Sequence, residues 1–333
     1  MLGRHTSSSV KLLLLCLTAL SSRADAQSAD PGWLQTRDQN PFVLATGMPL
    51  APAMPDAGTW QVDTTFSIAN TEMGLERNQA AVLIDAETRE TRLSVTYAFR
   101  ENWSLRGSLA HFHVGAGALD GPVEDFHRLF GLSNGDRGQL GTLAPVVEVR
   151  LDDEPRYVLG GAGSGAGPLL IDLARRWQFE AGKSAGLMLG VKLPVGDSDR
   201  LADSEATDVS LSAFGAMPLG KNTHLAARLG VLRQGDNALL DDLARRTIPF
   251  ASVLLRYRLG ERWSAMLQTD AHGPLYSRLP DFLGRTGNLI SFGLARRFGE
   301  QAELQVTLGE DLPALHTTDI VFNLNLRVFP RRR

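Results

Sequence analysis

Cysteine is nearly absent from the chain: the one residue, Cys16, falls inside the apolar run Leu12 to Leu20. Once that run is removed on export, the remainder has no disulfide, no thiol nucleophile and no thiolate metal site. An excess of one charge sign is also missing. With 34 Lys and Arg against 37 Asp and Glu, the formal net charge is -3 over 333 residues, which gives no electrostatic reason to expect a nucleic acid partner. Past the first run, no stretch reaches the roughly 18 apolar residues that a spanning helix needs. If such a chain enters a membrane, it crosses as strands.

The first residues have the order of a secretory signal. Arg4, His5 and Lys11 precede the apolar run, and Ala24-Asp25-Ala26 places small residues ahead of a cleavage between Ala26 and Gln27. The expected organisation is a signal peptide over 1–26, a periplasmic N-terminal segment over 27–57, a β-barrel over 58–329 and a basic tail over 330–333.

What the rest of the chain does contain, repeatedly, is alternation with a period of two, the mark of a strand with two chemically different faces. Between 59 and 69, Trp60, Val62, Phe66 and Ile68 share one face and Gln61, Asp63, Thr65 and Ser67 the other. Similar ribbons set Leu187, Leu189 and Val191 against Ser184, Gly186 and Lys192, and Val253, Leu255 and Tyr257 against Ser252 and Arg256. Near the C-terminus, Phe322, Leu324 and Leu326 oppose Asn323, Asn325 and Arg327. Strands are predicted over 59–69, 80–98, 103–114, 168–179, 184–194, 206–217, 223–232, 247–258, 263–272, 287–298, 301–310 and 318–329.

Connections between these segments alternate short and long. Tight turns at 100–102, 180–183, 218–222, 259–262 and 299–300 contrast with longer connections rich in Gly, Asp and Arg, the longest spanning about 115–167. That asymmetry, with an even strand number, is the pattern of a transmembrane antiparallel up-and-down β-barrel with short periplasmic turns and long external loops. A soluble β-sandwich would alternate in the same way. Aromatic placement favours the barrel, because Trp60, Trp103, Trp177 and Trp263, with Phe179, Tyr257 and Phe298, all fall at strand ends joined by tight turns and would form an interfacial girdle. Arg175 and Arg296 fall on the outward register near those ends, where long side chains can snorkel.

Several stretches resemble the uncharacterised bacterial outer-membrane proteins grouped as domain of unknown function family 3187: Asn40-Pro41-Phe42, Asp85 to Thr88, Gly117 to Arg137, Lys192 to Gly196 and Glu310-Asp311. The resemblance implies an outer-membrane barrel and no established activity. Before Asp208, where the family pattern has Gly-Ser-Gly, this chain has Asp203-Ser204-Glu205, which implies a loop of different shape.

No cofactor or metal is expected. The sequence 117–137 has the makings of a short helix capped by Asp120 or Gly121, with Pro122 in its first turn and Phe126, Leu129 and Phe130 on one face. Asp120, Glu124, Phe126, His127 and Arg137 are the candidate constriction residues. His127 has no Ser or Cys partner evident in sequence. His111 and His113 share a strand face but have no nearby third metal ligand. The run 160–167 lacks the Lys-Ser/Thr ending of a phosphate loop and reads as loop. The pore-lining candidates are Arg106, Arg176, Arg228, Arg256, Arg297 and Arg327 toward the tight-turn half, with Asp172, Lys192, Asp208 and Asp270 toward the other.

Two readings of that polar wall stay open: water and solutes pass through it, with the arginines as a weak anion filter, or opposite charges pair across a narrow barrel and close it. The function expected is a passive channel or solute-uptake barrel gated by an external loop. The alternative is a barrel enzyme acting on outer-membrane lipid, assembled from His111 or His127 and a loop serine such as Ser133. Expected partners are outer-membrane lipid, small solutes and the barrel-assembly machinery, with no nucleic acid. N-terminal sequencing of protein recovered from outer-membrane fractions should begin at or near Gln27; retention of Leu12 to Leu20 would overturn the export signal.

Overall fold

The computed structural model describes residues 32–330, apart from 78, 116–120, 122–124, 126–127, 129–145 and 313–316. The signal segment, Ala26 and Gln27, the constriction candidates Asp120, Glu124, Phe126, His127 and Arg137, Ser133, and the tail beyond Pro330 lie outside the described residues.

Twelve antiparallel staves close into a barrel. In chain order the strands are β1 (Trp60–Arg77), β2 (Ala80–Arg100), β3 (Trp103–Gly115), β4 (Val146–Leu151), β5 (Glu154–Leu159), β6 (Gly163–Ala166), β7 (Leu169–Gln178), β8 (Ser184–Leu193), β9 (Asp208–Pro218), β10 (Thr223–Arg233), β11 (Thr247–Arg258), β12 (Trp263–His272), β13 (Gly287–Phe298), β14 (Ala302–Asp311) and β15 (Ile320–Val328). Each stave pairs with its neighbour, and β1 pairs with β15 from Val62↔Val328 to Asn70↔Ile320, so the sheet closes. Closure removes both sheet edges and lets the backbone cross an apolar layer with its polar groups satisfied.

The alternation has the predicted sense. Phe66, Leu189, Leu229, Val253, Leu255 and Leu324 are exposed on the outer surface, whereas Asp63, Ser67, Lys192, Arg228, Ser252 and Asn325 are buried inside. The outside is therefore more apolar than the inside along the middle of every stave. At the tight-turn end, Trp60, Phe99, Phe179, Trp263 and Phe298 are exposed, and Trp60 stacks on Tyr97 with ring centroids 4.3 Å apart.

Three features differ from the sequence reading, and each has a physical cause. First, β1 continues to Arg77 rather than ending at 69. On β2, one inward face reads Ala80, Val82, Ile84 and Ala86, then Thr88, Glu90, Arg92, Ser94 and Thr96, all buried. Its outer part is apolar toward the inside because β1 and β2 rise past the barrel wall there and cover an apolar cap. The polarity pattern inverts at that level, so the extension does not look like the stave beneath it. Second, the region 115–167 is not plain loop. Its β4 pairs with the outer end of β2, from Ala80↔Leu151 to Asp85↔Val146, β5 pairs with β4, and β6 pairs with β3. Val147, Val149, Leu151 and Leu159 bury into the cap, which is what holds this hairpin down. Third, the segment expected in the periplasm lies inside the barrel: residues 32–55 are buried throughout.

Arginine at lipid-facing positions should be depth-dependent. Leu189→Arg, midway along β8, should cost about 2–4 kcal/mol in a reversible folding assay into bilayers, and Phe179→Arg at the rim about 0–1 kcal/mol. Equal costs at the two positions would contradict the placement.

Candidate functional site

The inner wall is where the chemistry collects. Arg106, Arg176, Arg228, Arg256, Arg327, Asp172, Lys192 and Asp208 are buried on it, Asp270 is partly buried, and Arg297 is exposed at the tight-turn rim. These residues do not face an empty lumen. The N-terminal segment enters at the tight-turn end, rises through the barrel, turns at a single helical turn, α1 (Pro41–Leu44), and descends to join β1.

The sequence makes this U-shape locally. Asn40 caps α1 by accepting a hydrogen bond from the Phe42 amide at 3.0 Å, and Pro41 sits where a missing N–H is harmless. Prolines at 41, 49, 52 and 55 keep the rest out of regular structure. An irregular buried backbone needs partners from elsewhere, and the wall supplies them.

On the ascending leg, Arg327 and Gln305 donate to the Trp33 carbonyl at 3.4 and 3.3 Å, and Arg92 donates to that of Gln35 at 2.8 Å. On the descending leg, Arg228 donates to the Leu50 carbonyl at 2.6 Å, Arg106 to that of Ala51 at 2.6 Å, Ser104 to that of Ala53 at 3.0 Å, and Arg176 to that of Met54 at 3.4 Å. Near the turn, the Gly47 amide donates to Asp208 at 2.7 Å. Side chains of the segment add their own anchors: Arg37 pairs with Glu90 at 2.7 Å, and Asp38 accepts from Thr318 at 2.8 Å and lies 3.1 Å from His272 Nε2. Two glycines permit the fit. A Cβ on Gly47 would lie 2.7 Å from the Asp208 Cβ, and one on Gly293 of β13 would lie 2.5 Å from a Leu34 methyl.

The wall charges are also paired among themselves. Arg106 meets Asp172 at 2.7 Å, Arg256 meets Glu303 at 2.7 Å, Arg327 meets Asp63 at 2.9 Å, and Arg92 meets Glu90 at 2.9 Å. The expectation of a free arginine wall acting as an anion filter is therefore corrected: these guanidiniums are neutralised by carboxylates or committed to carbonyls of the plug. Lys192 is bound to Asp203 at 2.6 Å, a buried ion pair, and Asp203 also accepts from the amides of Val195 and Gly196. Glu90, Arg92, Asp63, Glu303 and Asp38 did not stand out in sequence. The inward register of the first four was readable from alternation, but the segment they face, which carries Asp38, has no periodic signal.

At the long-loop end, Phe42, Val43 and Met48 of the segment share one apolar cluster with Val147 and Val149 of β4, Leu239, Leu240 and Leu243, and Leu275, Tyr276, Leu279 and Leu283. Phe42 meets Tyr157 and Tyr276 edge-on, each at 5.8 Å between centroids. Burial pushes both phenols well above the ordinary tyrosine range, so they remain neutral; Tyr157 donates to the Ser198 carbonyl at 2.9 Å. Beneath this cap, a cavity of about 30 Å³ lies between the two legs and β10–β12, bordered by Asp38, Arg228, Asp270 and His272. It has room for a water or two.

His111 and His113 lie on the outer surface of β3 rather than in the lumen. His111 Nε2 is 3.2 Å from Ser164 Oγ. Among the described residues no carboxylate is bonded to either imidazole, and no group of three metal-binding side chains occurs.

Among solved structures, the fold is similar to an outer membrane channel from Pseudomonas putida F1, with 15% sequence identity and a TM-score of 0.55 over 84% of this chain and 97% of that one. Weaker likenesses include the NanC porin, at 7% identity and TM-score 0.46 over 82% and 100% of the two chains. The KdgM porin in complex with disordered oligogalacturonate gives 7% identity and TM-score 0.45 over 80% and 98%. No curated protein matches the chain. The model of one family, described as a protein of unknown function (DUF3187), matches residues 8–328.

Glu303, 4% exposed and shared by Arg256 and Arg327, should be costly to neutralise, whereas Arg297, 45% exposed, contributes little. Glu303→Gln is expected to destabilise the barrel by about 3–5 kcal/mol and Arg297→Gln by about 0–1 kcal/mol, read from denaturant-induced unfolding in the same detergent. Similar losses at both would remove the distinction between the buried and rim charges.

Proposed function

The chain belongs to the DUF3187 family of proteins of unknown function, and from its polar, occupied lumen we propose that it is an outer-membrane channel or solute-uptake barrel held closed at rest by residues 32–57. The observation that carries this reading is the bonding of the plug. Wall side chains reach its backbone carbonyls through donors fixed on rigid strands, and the same donors can bind water or the oxygens of a small polar solute when the segment is displaced.

The external loop enters the same device. Its β4 packs in the cluster that holds Phe42, so displacement of the 115–167 region and release of the plug tip are coupled through one apolar contact set. The outer-membrane location is supported by the channel-type fold and by the apolar belt between aromatic rims. Lipid around that belt, small polar solutes in the lumen and the barrel-assembly machinery are the partners this reading requires.

The lipid-enzyme alternative has one observation in its favour, the contact between Ser164 and His111 on the outer surface. Release of fatty acid from mixed micelles, abolished by Ser164→Ala, would select it.

Planar-bilayer recordings test the channel reading. The full chain should show low or rare conductance, and deletion of 32–57 should raise it at least tenfold. Gly293→Phe, which occupies the space of Leu34 without touching the strand pairing, should shift conductance in the same direction. Neither variant conducting more than the full chain would overturn the proposal.

A further inference from the structure

Two arginines face outward in the band that the rest of the surface gives to leucine and aromatics. Arg175 on β7 and Arg296 on β13 are both exposed, and among the described residues neither guanidinium has a carboxylate or hydrogen-bond partner. Each instead lies over two rings. Arg175 lies over Trp103 at 5.2 Å and Trp177 at 4.8 Å; Arg296 lies over Trp263 at 5.1 Å and Phe298 at 5.0 Å.

The two arrangements are the same construction made twice. In both, a Trp that opens the neighbouring strand is the register partner of the arginine, Trp103↔Arg175 and Trp263↔Arg296, and the second ring is two residues on. Both arise from the same stretch of sequence, Leu173-Ala174-Arg175-Arg176-Trp177 and Leu294-Ala295-Arg296-Arg297-Phe298. The second arginine of each lies on the inward register. In both, its amide also donates to the residue before the Trp, Arg176 to Asn102 at 2.9 Å and Arg297 to Arg262 at 2.8 Å. The two lie six staves apart in a twelve-stave barrel, on opposite sides.

A lone arginine at a membrane rim could snorkel anywhere. Contact with two ring faces holds each guanidinium at the rim while its N–H donors stay without a protein partner among the described residues, which suits a phosphate. Toward the middle of the barrel wall, Leu105 and Leu187 flank the first site and Leu294 and Phe292 the second, all exposed. A ligand that is anionic at one end and apolar along its length meets both surfaces. We propose that these are two equivalent binding sites for the phosphodiester of a glycerophospholipid in the leaflet at the tight-turn end, with the guanidinium on the phosphate and the acyl chains along the leucines. The proposal rests on the membrane placement of the barrel and not on its conducting.

Native mass spectrometry of the detergent-purified full chain tests it, with phosphatidylglycerol and the diacylglycerol of the same acyl chains as probes. Two phosphatidylglycerol molecules should be retained under activation that strips diacylglycerol. Arg175→Gln and Arg296→Gln should each lower the count to one, and the double variant should bind at least tenfold more weakly while keeping the heat-dependent gel mobility of a folded barrel. Added glycerol phosphate should not displace the lipid at equal concentration, since it lacks the chains. Equal retention of the two lipids by the unaltered protein, no retained phospholipid, or a double variant with unchanged stoichiometry would each overturn the proposal. None of these readouts depends on conductance, so a protein that binds phospholipid but never conducts would defeat the channel reading alone.

Discussion

An irregular peptide inside a barrel and a ring of buried arginines each have the same difficulty, an unmet hydrogen bond away from water, and here each meets the other's. Carbonyls of Trp33, Gln35, Leu50, Ala51 and Met54 have no helix or sheet to accept from, and Arg327, Arg92, Arg228, Arg106 and Arg176 reach them from the wall. Leaving either set unpaired in a lumen filled by protein would cost about 1–3 kcal/mol per group, more for the charged ones. The closed sheet is what makes this pairing possible, because it fixes the donors on strands whose own backbone groups are already spent. Carboxylates at 63, 90, 172 and 303 pair with Arg327, Arg92, Arg106 and Arg256 rather than standing apart as an opposing face.

The same wall explains why the barrel has two chemically different levels. Along β2 the inward face passes from Ala80, Val82 and Ile84 to Glu90 and Arg92 without any break in register. Below the change, water or lipid lies outside an apolar exterior and a polar peptide fills the inside. Above it, strands and loops enclose an apolar cap around Phe42, and the exterior carries Glu72, Glu76 and Arg89. Inversion of polarity along a continuous strand is thus a direct marker of where the wall stops being a barrel stave and becomes the side of a globular cap.

That inversion also accounts for how much could be read in advance. All twelve staves were legible, because an apolar outside against a polar inside gives clean alternation over ten residues or so, as at Leu187 to Lys192 or Phe322 to Arg327. The upper part of β1 was not, since Met73 faces in where Phe66 faces out. The strands β4 to β6 are short, and although β4 and β5 form a local hairpin, β4 on β2 and β6 on β3 pair with partners far away in sequence. The plug was invisible for a further reason: its prolines and its contacts with every part of the wall leave no local period at all. A signal did exist in the wall, where Arg92, Arg106, Arg176, Arg228, Arg256 and Arg327 all fall on the inward register. So many guanidiniums facing one narrow space, each with five N–H donors, require acceptors beyond a single carboxylate apiece.

The topology of the insert limits how such a barrel can open. Its ascending leg passes Arg327 and Gln305 near the tight-turn end, and its descending leg returns to the same end, where the Gly58 amide donates to Ala98 before β1 begins. The far end is a closed bend, covered by β4, β5 and the loops that hold Tyr157 and Tyr276 against Phe42. A U-shaped segment with both limbs at one mouth can withdraw through that mouth without threading, but it can leave through the other only by dragging a limb the length of the lumen. Withdrawal first uncovers Phe42, whose burial is worth about 1.5–3 kcal/mol, and that ring is held by the external loops. The element that fixes the plug at its tip is therefore the part of the molecule facing away from the direction in which the plug can move.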